Sequence, residues 1–110
     1  MLAHIPDLLQ GTLDLLILKS LATAPLHGWA ISKRIQQMSS AVLTVNQGSL
    51  YPALYRLEDR GWIASKPALS PEGRRIKVYR LTATGRRQLS YEIDAWRHFA
   101  RAIDHVVAAT

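Results

Sequence analysis

The chain contains no cysteine, which removes disulfides, thiolate metal sites and thiol nucleophiles and suits a reducing compartment. It also lacks a glycine-rich loop able to cradle phosphate, a metal-spaced ligand set, and a nucleophile accompanied by its base and orienter, so nothing in it reads as an enzyme. No cofactor and no metal are expected. Long hydrophobic runs are missing as well. The apolar stretch 8–21 is broken by Gln10, Asp14 and Lys19, has no basic flank of the signal-peptide kind, and is too short and too polar to span a bilayer. A soluble cytoplasmic protein with no membrane association is the expectation.

Acid is scarce too. Among 110 residues, 14 Lys and Arg stand against 8 Asp and Glu, a formal charge of +6. Between Arg60 and Arg87 there are eight basic residues and a single acid, Glu72, so the surplus belongs to one segment. Such a segment points to a polyanion, with nucleic acid ahead of an acidic membrane surface. With 48% hydrophobic residues over this length, the chain is one domain with a small core.

What is present centres on residues 46–61. Leu50, Leu54 and Leu57 recur at the spacing that lines one helix face, while Gln47, Ser49, Tyr51, Pro52, Tyr55 and Arg56 point elsewhere. The acids Glu58 and Asp59 come only at the far end. A helix entering the major groove leads with its N-terminal turns, where the dipole favours phosphate, so an acid-free front suits insertion. Pro52 is tolerated best in a first turn, which predicts a helix start near Ser49 as N-cap, with Asn46-Gln47-Gly48 as lead-in and Gly61 as the stop. The competing reading is an ordinary amphipathic helix with a solvated polar face.

Upstream, residues 9–22 read as a helix capped by Asp7, with Leu13, Leu16, Ile17 and Leu21 on one side and Leu8, Leu15 and Leu18 widening the stripe nearly all round. A second helix is expected over 29–38, with Ile31, Ile35 and Met38 inward and Lys33 and Arg34 outward, near phosphate. The pair formed by this helix and the next is a helix-turn-helix arrangement. After Gly61 the period changes to 2, and 62–66 and 76–81 look like two strands joined through Ser70-Pro71-Glu72-Gly73, a turn with Pro second and Gly fourth. This hairpin is a wing carrying Arg74, Arg75 and Lys77, within reach of phosphate or a narrow minor groove. Thr82 caps a last helix over 83–107, where Leu89, Ile93, Trp96, Ala100, Ile103 and Val107 are spaced 4, 3, 4, 3, 4 as a heptad seam. The fold class is therefore mainly α with a small two-stranded antiparallel sheet, a winged helix-turn-helix over 1–82 followed by a dimerisation helix over 83–110. A two-fold dimer is expected through that seam together with Leu15 and Leu18 of the over-apolar first helix.

Gly48-Ser49-Leu50-Tyr51-Pro52-Ala53-Leu54-Tyr55-Arg56-Leu57-Glu58, then Gly61-Trp62-Ile63, then Gly73-Arg74-Arg75-Ile76-Lys77-Val78-Tyr79-Arg80-Leu81-Thr82 with Gly85-Arg86, resembles the signature of PadR-type transcriptional regulators, in a compact form with a short last helix. Gly11-Thr12-Leu13-Asp14-Leu15-Leu16-Ile17-Leu18 and His27-Gly28-Trp29-Ala30-Ile31 extend the likeness over nearly the whole chain. The resemblance implies a homodimeric bacterial repressor that binds an inverted-repeat operator in double-stranded DNA and is released by a small molecule or stress signal. It implies DNA contact by Gln47, Ser49, Tyr51 and Pro52, backbone contact by Arg56 and Lys33, and flanking-groove contact by Arg74, Arg75 and Lys77. Trp29 stands where the family commonly has tyrosine.

Trp96 admits two readings: two such rings facing each other across a dimer, with Ala100 one turn on, could leave a slot for a small flat aromatic effector, or Trp96 could fill the dimer core. His98 and His105, two turns apart, are too distant to share one metal ion and read as surface residues, and Asp94 with His98 reads as a solvated pair. The functional alternative to a sequence-specific regulator is a basic winged-helix module that docks on protein or RNA and has no operator.

Overall fold

The computed structural model describes residues 3–4 and 10–110. The chain runs β1 (Ala3–His4), α1 (Gln10–Ser20), β2 (Leu26–His27), α2 (Gly28–Met38), β3 (Leu43–Thr44), α3 (Gln47–Asp59), β4 (Ile63–Leu69), β5 (Arg75–Leu81) and α4 (Ala83–Ala108). The helix expected from residue 9 is seen from Gln10; Leu8, Leu9 and the proposed cap Asp7 lie outside the described residues.

Because α1 is apolar nearly all round, it has to be covered on several sides, and α2, α3 and α4 all pack on it. Leu13, Ile17, Leu18 and Leu21 are buried there with Ile31 and Ile35 of α2, Leu50, Ala53, Leu54 and Leu57 of α3, Ile63, Tyr79 and Leu81 of the hairpin, and Leu89 of α4. Met38, expected inward, is instead half-exposed. The helix ends at that residue and the chain turns away through Ser40 and Ala41, both in the left-handed region at φ 53° and 65°.

The start of α3 differs from expectation. Asn46, not Ser49, is the N-cap: its Oδ1 accepts the Ser49 N–H at 2.9 Å, so the helix begins three residues earlier. Pro52 then falls beyond the first turn, and the Gly48 carbonyl, on an exposed residue, is left without its helical donor. The far end closes as a Schellman motif in which Trp62 N–H donates to Leu57 O at 3.1 Å and Gly61 N–H to Glu58 O at 3.0 Å, with Gly61 at φ +78°.

The hairpin pairs Ile63 with Leu81 through to Leu69 with Arg75. At its turn Gly73 N–H donates to Ser70 O at 2.9 Å, and Gly73 takes φ +81°. Strand β4 runs three residues further than predicted, through Pro67, which an edge strand tolerates because one N–H side faces away from the ladder. The sheet also has a third strand. Leu26–His27 pairs antiparallel with β5, giving the order β2-β5-β4, while β1 and β3 form a separate parallel pair. A two-residue strand leaves no alternation to read, so sequence periodicity misses it.

Thr82 caps α4 as expected, accepting the Gly85 N–H at 2.9 Å and donating towards the Gly61 and Trp62 carbonyls at 2.7 and 3.0 Å. At Gly85 a Cβ would stand 1.9 Å from the Trp62 carbonyl, so only glycine lets α4 start against the chain leaving α3. The dimer seam needs correction at its base. Leu18 is fully enclosed and Leu89 is buried within their own protomer, and Ile93 is partly buried against the same core, so these three have little or no surface to offer a second chain. Beyond Ile93 every residue of α4 except Ala100 is exposed.

Candidate nucleic-acid interface

Positions 47, 51, 55 and 58, spaced 4, 4 and 3, stack along one flank of α3. Facing them across an open groove is the wing. Gln47, Tyr51, Tyr55 and Glu58 line one wall, Arg74, Arg75, Ile76 and Lys77 with the turn 70–72 line the other, and His27, Gly28 and Trp29 at the start of α2 close one end. The pleat sorts the wing residues. Ser65, Tyr79, Lys77 and Arg75 lie on one face of the hairpin, the face that turns its inner end, Ile63 and Leu81, into the core.

Of the helix-front residues singled out in the sequence, Gln47 and Tyr51 line this groove and Ser49 and Pro52 lie on the other flank of the same turns. Arg56 does neither. Its guanidinium is paired with the Asp14 carboxylate of α1, side chains 23% and 7% exposed, so it ties α3 to the core and is no longer a free cation for DNA backbone. Asp14 itself is buried, which an acid tolerates when so paired. Arg34 donates to Thr23 Oγ1 at 3.0 Å in an exposed hydrogen bond that leaves its charge unneutralised. Lys33 stays exposed, with Nζ 4.4 Å from the centroid of the half-exposed Trp29 ring.

Tyr51 is held more firmly than a surface tyrosine. Its ring lies against Gly28, where an added Cβ would be 2.9 Å from the hydroxyl. Lys77 sits 3.6 Å from Glu58 Oε1 and 5.6 Å from the Tyr79 centroid, while Ser65 donates to Glu58 Oε2 at 2.5 Å. Burial pushes the Tyr79 hydroxyl above its ordinary pKa; Lys77 opposes this, and Glu58 and Tyr51 add to it, so the ring stays neutral at the base of the groove.

Groove residues to which the sequence assigns no DNA contact include Trp29, Tyr55, which belongs to the acid-free front of α3, and Glu58. The 4, 4, 3 spacing from Gln47 could have found the last two; Trp29 depends on how α2 meets α3 and has no such signal. Trp96 lies on the uncovered half of α4, its ring 6.4 Å from that of Phe99 and tilted by 49°. His98 and His105 are exposed, and among the described residues no group of three His, Asp or Glu could hold a metal ion. No helix among them is long and apolar enough to cross a membrane.

A helix-turn-helix followed by a cation-bearing hairpin defines the molecule as a winged-helix protein of the DNA-binding class. Comparison with known proteins makes this specific. The model of the transcriptional regulator PadR-like family matches residues 17–91. A transcriptional regulator of Mycobacterium tuberculosis is 35% identical over 94 residues, 86% of this chain and 84% of its own. Among solved structures, a transcriptional regulator from Clostridium thermocellum superposes with a TM-score of 0.81 at 27% identity, covering 90% of this chain and 96% of that one. A PadR family transcription regulator from Clostridium difficile gives 0.74 at 28%, covering 86% and 97%. The chain belongs to the PadR-like family of transcriptional regulators, DNA-binding proteins and not enzymes.

Proposed function

We propose that this protein is a homodimeric repressor acting in the cytoplasm on the nucleoid, with residues 1–82 reading an inverted-repeat operator and 83–110 joining the protomers. The observation that carries the reading is the groove in which Gln47 and Tyr51, on the leading turns of α3, face Arg74, Arg75 and Lys77 on the wing. With α3 in the major groove, Gln47 and Tyr51 meet base edges, Ser49 and Pro52 complete the inserted tip, Lys33 approaches the backbone, and the wing cations take flanking phosphates.

Pairing through α4 is supported by the bare face that carries Trp96, Ile103 and Val107, with small Ala100 between them and half-buried Leu15 on α1. An apolar row of this kind finds cover in a second copy related by a two-fold axis, which presents two grooves to one side of the duplex. The tilted Trp96 and Phe99 rings offer walls for a small aromatic effector. Binding between protomers would favour a spacing that no longer fits the operator and release it.

Selection of bound duplexes from a random pool tests the whole reading. The expected result is a palindrome with half-sites one helical turn or a multiple apart, bound at least about a thousandfold better than random duplex. Recovery of unrelated sequences, or of a lone half-site, would refute it.

A further inference from the structure

Glu58 is doubly misplaced by simple electrostatics. It sits in the last turn of α3, where the helix dipole disfavours an acid, and it lines the groove that the reading above gives to a polyanion. What it does there is visible in its two oxygens. Oε2 accepts from Ser65 on β4 at 2.5 Å, and Oε1 lies 3.6 Å from Lys77 on β5, so one carboxylate holds both strands of the wing to the reading helix. Ser65 pairs across the ladder with Tyr79, two residues from Lys77, and all three stand on the same face.

We propose that Glu58 is a positioning residue that sets the wing at a fixed distance from α3 and occupies Lys77 until DNA of the right shape draws it away. The proposal rests on the DNA-reading function above. Held wings admit only duplexes whose groove width suits the fixed separation, and Lys77 leaves a carboxylate for a phosphate only where the two lie close. A loose wing with a free lysine binds any duplex. Glu58 thus exchanges some total affinity for discrimination, as an electrostatic element that acts against wrong partners does.

The test uses Glu58→Gln and Ser65→Ala in the full chain, with Asp94→Asn on the exposed face of α4 as an equal change of charge. Each is assayed against the selected operator and against random duplex over a range of salt, alongside hydrogen exchange of the β4 and β5 amides without DNA. Glu58→Gln should bind random duplex several-fold tighter, steepen its log K against log salt slope by up to about 0.9, and lose about tenfold in discrimination. Ser65→Ala should lose discrimination with its slope unchanged, and both should exchange hairpin amides faster. The proposal is overturned if discrimination and exchange match the unaltered protein, or if Asp94→Asn reproduces the gain. Should the unaltered protein prefer no sequence at all, the operator reading fails, and hydrogen exchange alone still decides whether the carboxylate holds the wing.

Discussion

The pairing of Arg56 with Asp14 yields the most decisive prediction, because sequence likeness and structure assign the arginine different work. Replacing Arg56 by Met keeps an unbranched apolar stem and removes the charge, leaving the Asp14 carboxylate, 7% exposed, without its partner. Breaking a fully buried pair costs about 3–5 kcal/mol, and the 23% of Arg56 that reaches water lets solvent take up part of the loss, so about 2–3 kcal/mol is expected. For a domain of this size that lowers the melting temperature by about 8–15 °C. Chemical and thermal unfolding at one fixed protein concentration measure it, since dimerisation would otherwise shift the midpoint by mass action. The double variant Asp14→Leu with Arg56→Met should return to within about 1 kcal/mol of the parent, because an apolar pair needs no compensating charge. Below its transition, Arg56→Met should keep the parent salt slope for duplex binding. A variant unchanged in stability to within about 0.5 kcal/mol, with a slope flatter by about 0.9, would refute the reasoning and return Arg56 to the phosphate backbone.

Arg75→Ala should flatten the salt slope by about 0.9 and weaken all sequences alike, and an unchanged slope would remove Arg75 from the phosphate contacts. Ile103→Asp places a charge on the bare face of α4 without touching the monomer core, so sedimentation should find monomers with lost operator affinity; a tight dimer would move the seam elsewhere. Ser40→Gly should raise stability by about 0.5–1 kcal/mol in urea unfolding, because Ser40 holds φ 53° at the end of α2, and no gain would mean that its neighbours already offset the strain.

The two helix ends show why some of this architecture is legible in the residues and some is not. α3 and α2 close with the same hydrogen bonds: Trp62 N–H to Leu57 O in one, Ala41 N–H to Gln36 O at 2.8 Å in the other. Glycine at position 61 announces the first in advance, since few other residues accept its φ. Serine at position 40 announces nothing, because serine has no preference for that φ, so neither the end of α2 nor the outward turn of Met38 is legible in the residues. The buried stripe of α3 and the turn at Gly73 belong to the first kind, since periodicity and φ preference are local.

The fate of Arg56 belongs to the second. Helical spacing tells which way a Cα–Cβ bond points, and Arg56 does point away from the leucine stripe. A long side chain then carries its charge several ångströms further, and whether it ends at phosphate or at a carboxylate depends on what another helix offers there. Asp14, seen alone, is an acid interrupting an apolar run. Seen alone, Glu58 is an acid at the wrong end of a helix. Each departs from the local rule, and each turns out to hold α3 to a neighbouring element, one to α1 and the other to the wing. In a chain this poor in acid, a carboxylate that breaks the pattern of its own helix therefore marks where that helix is fastened, and a search for the fastenings of a reading helix starts from the acids before the cations.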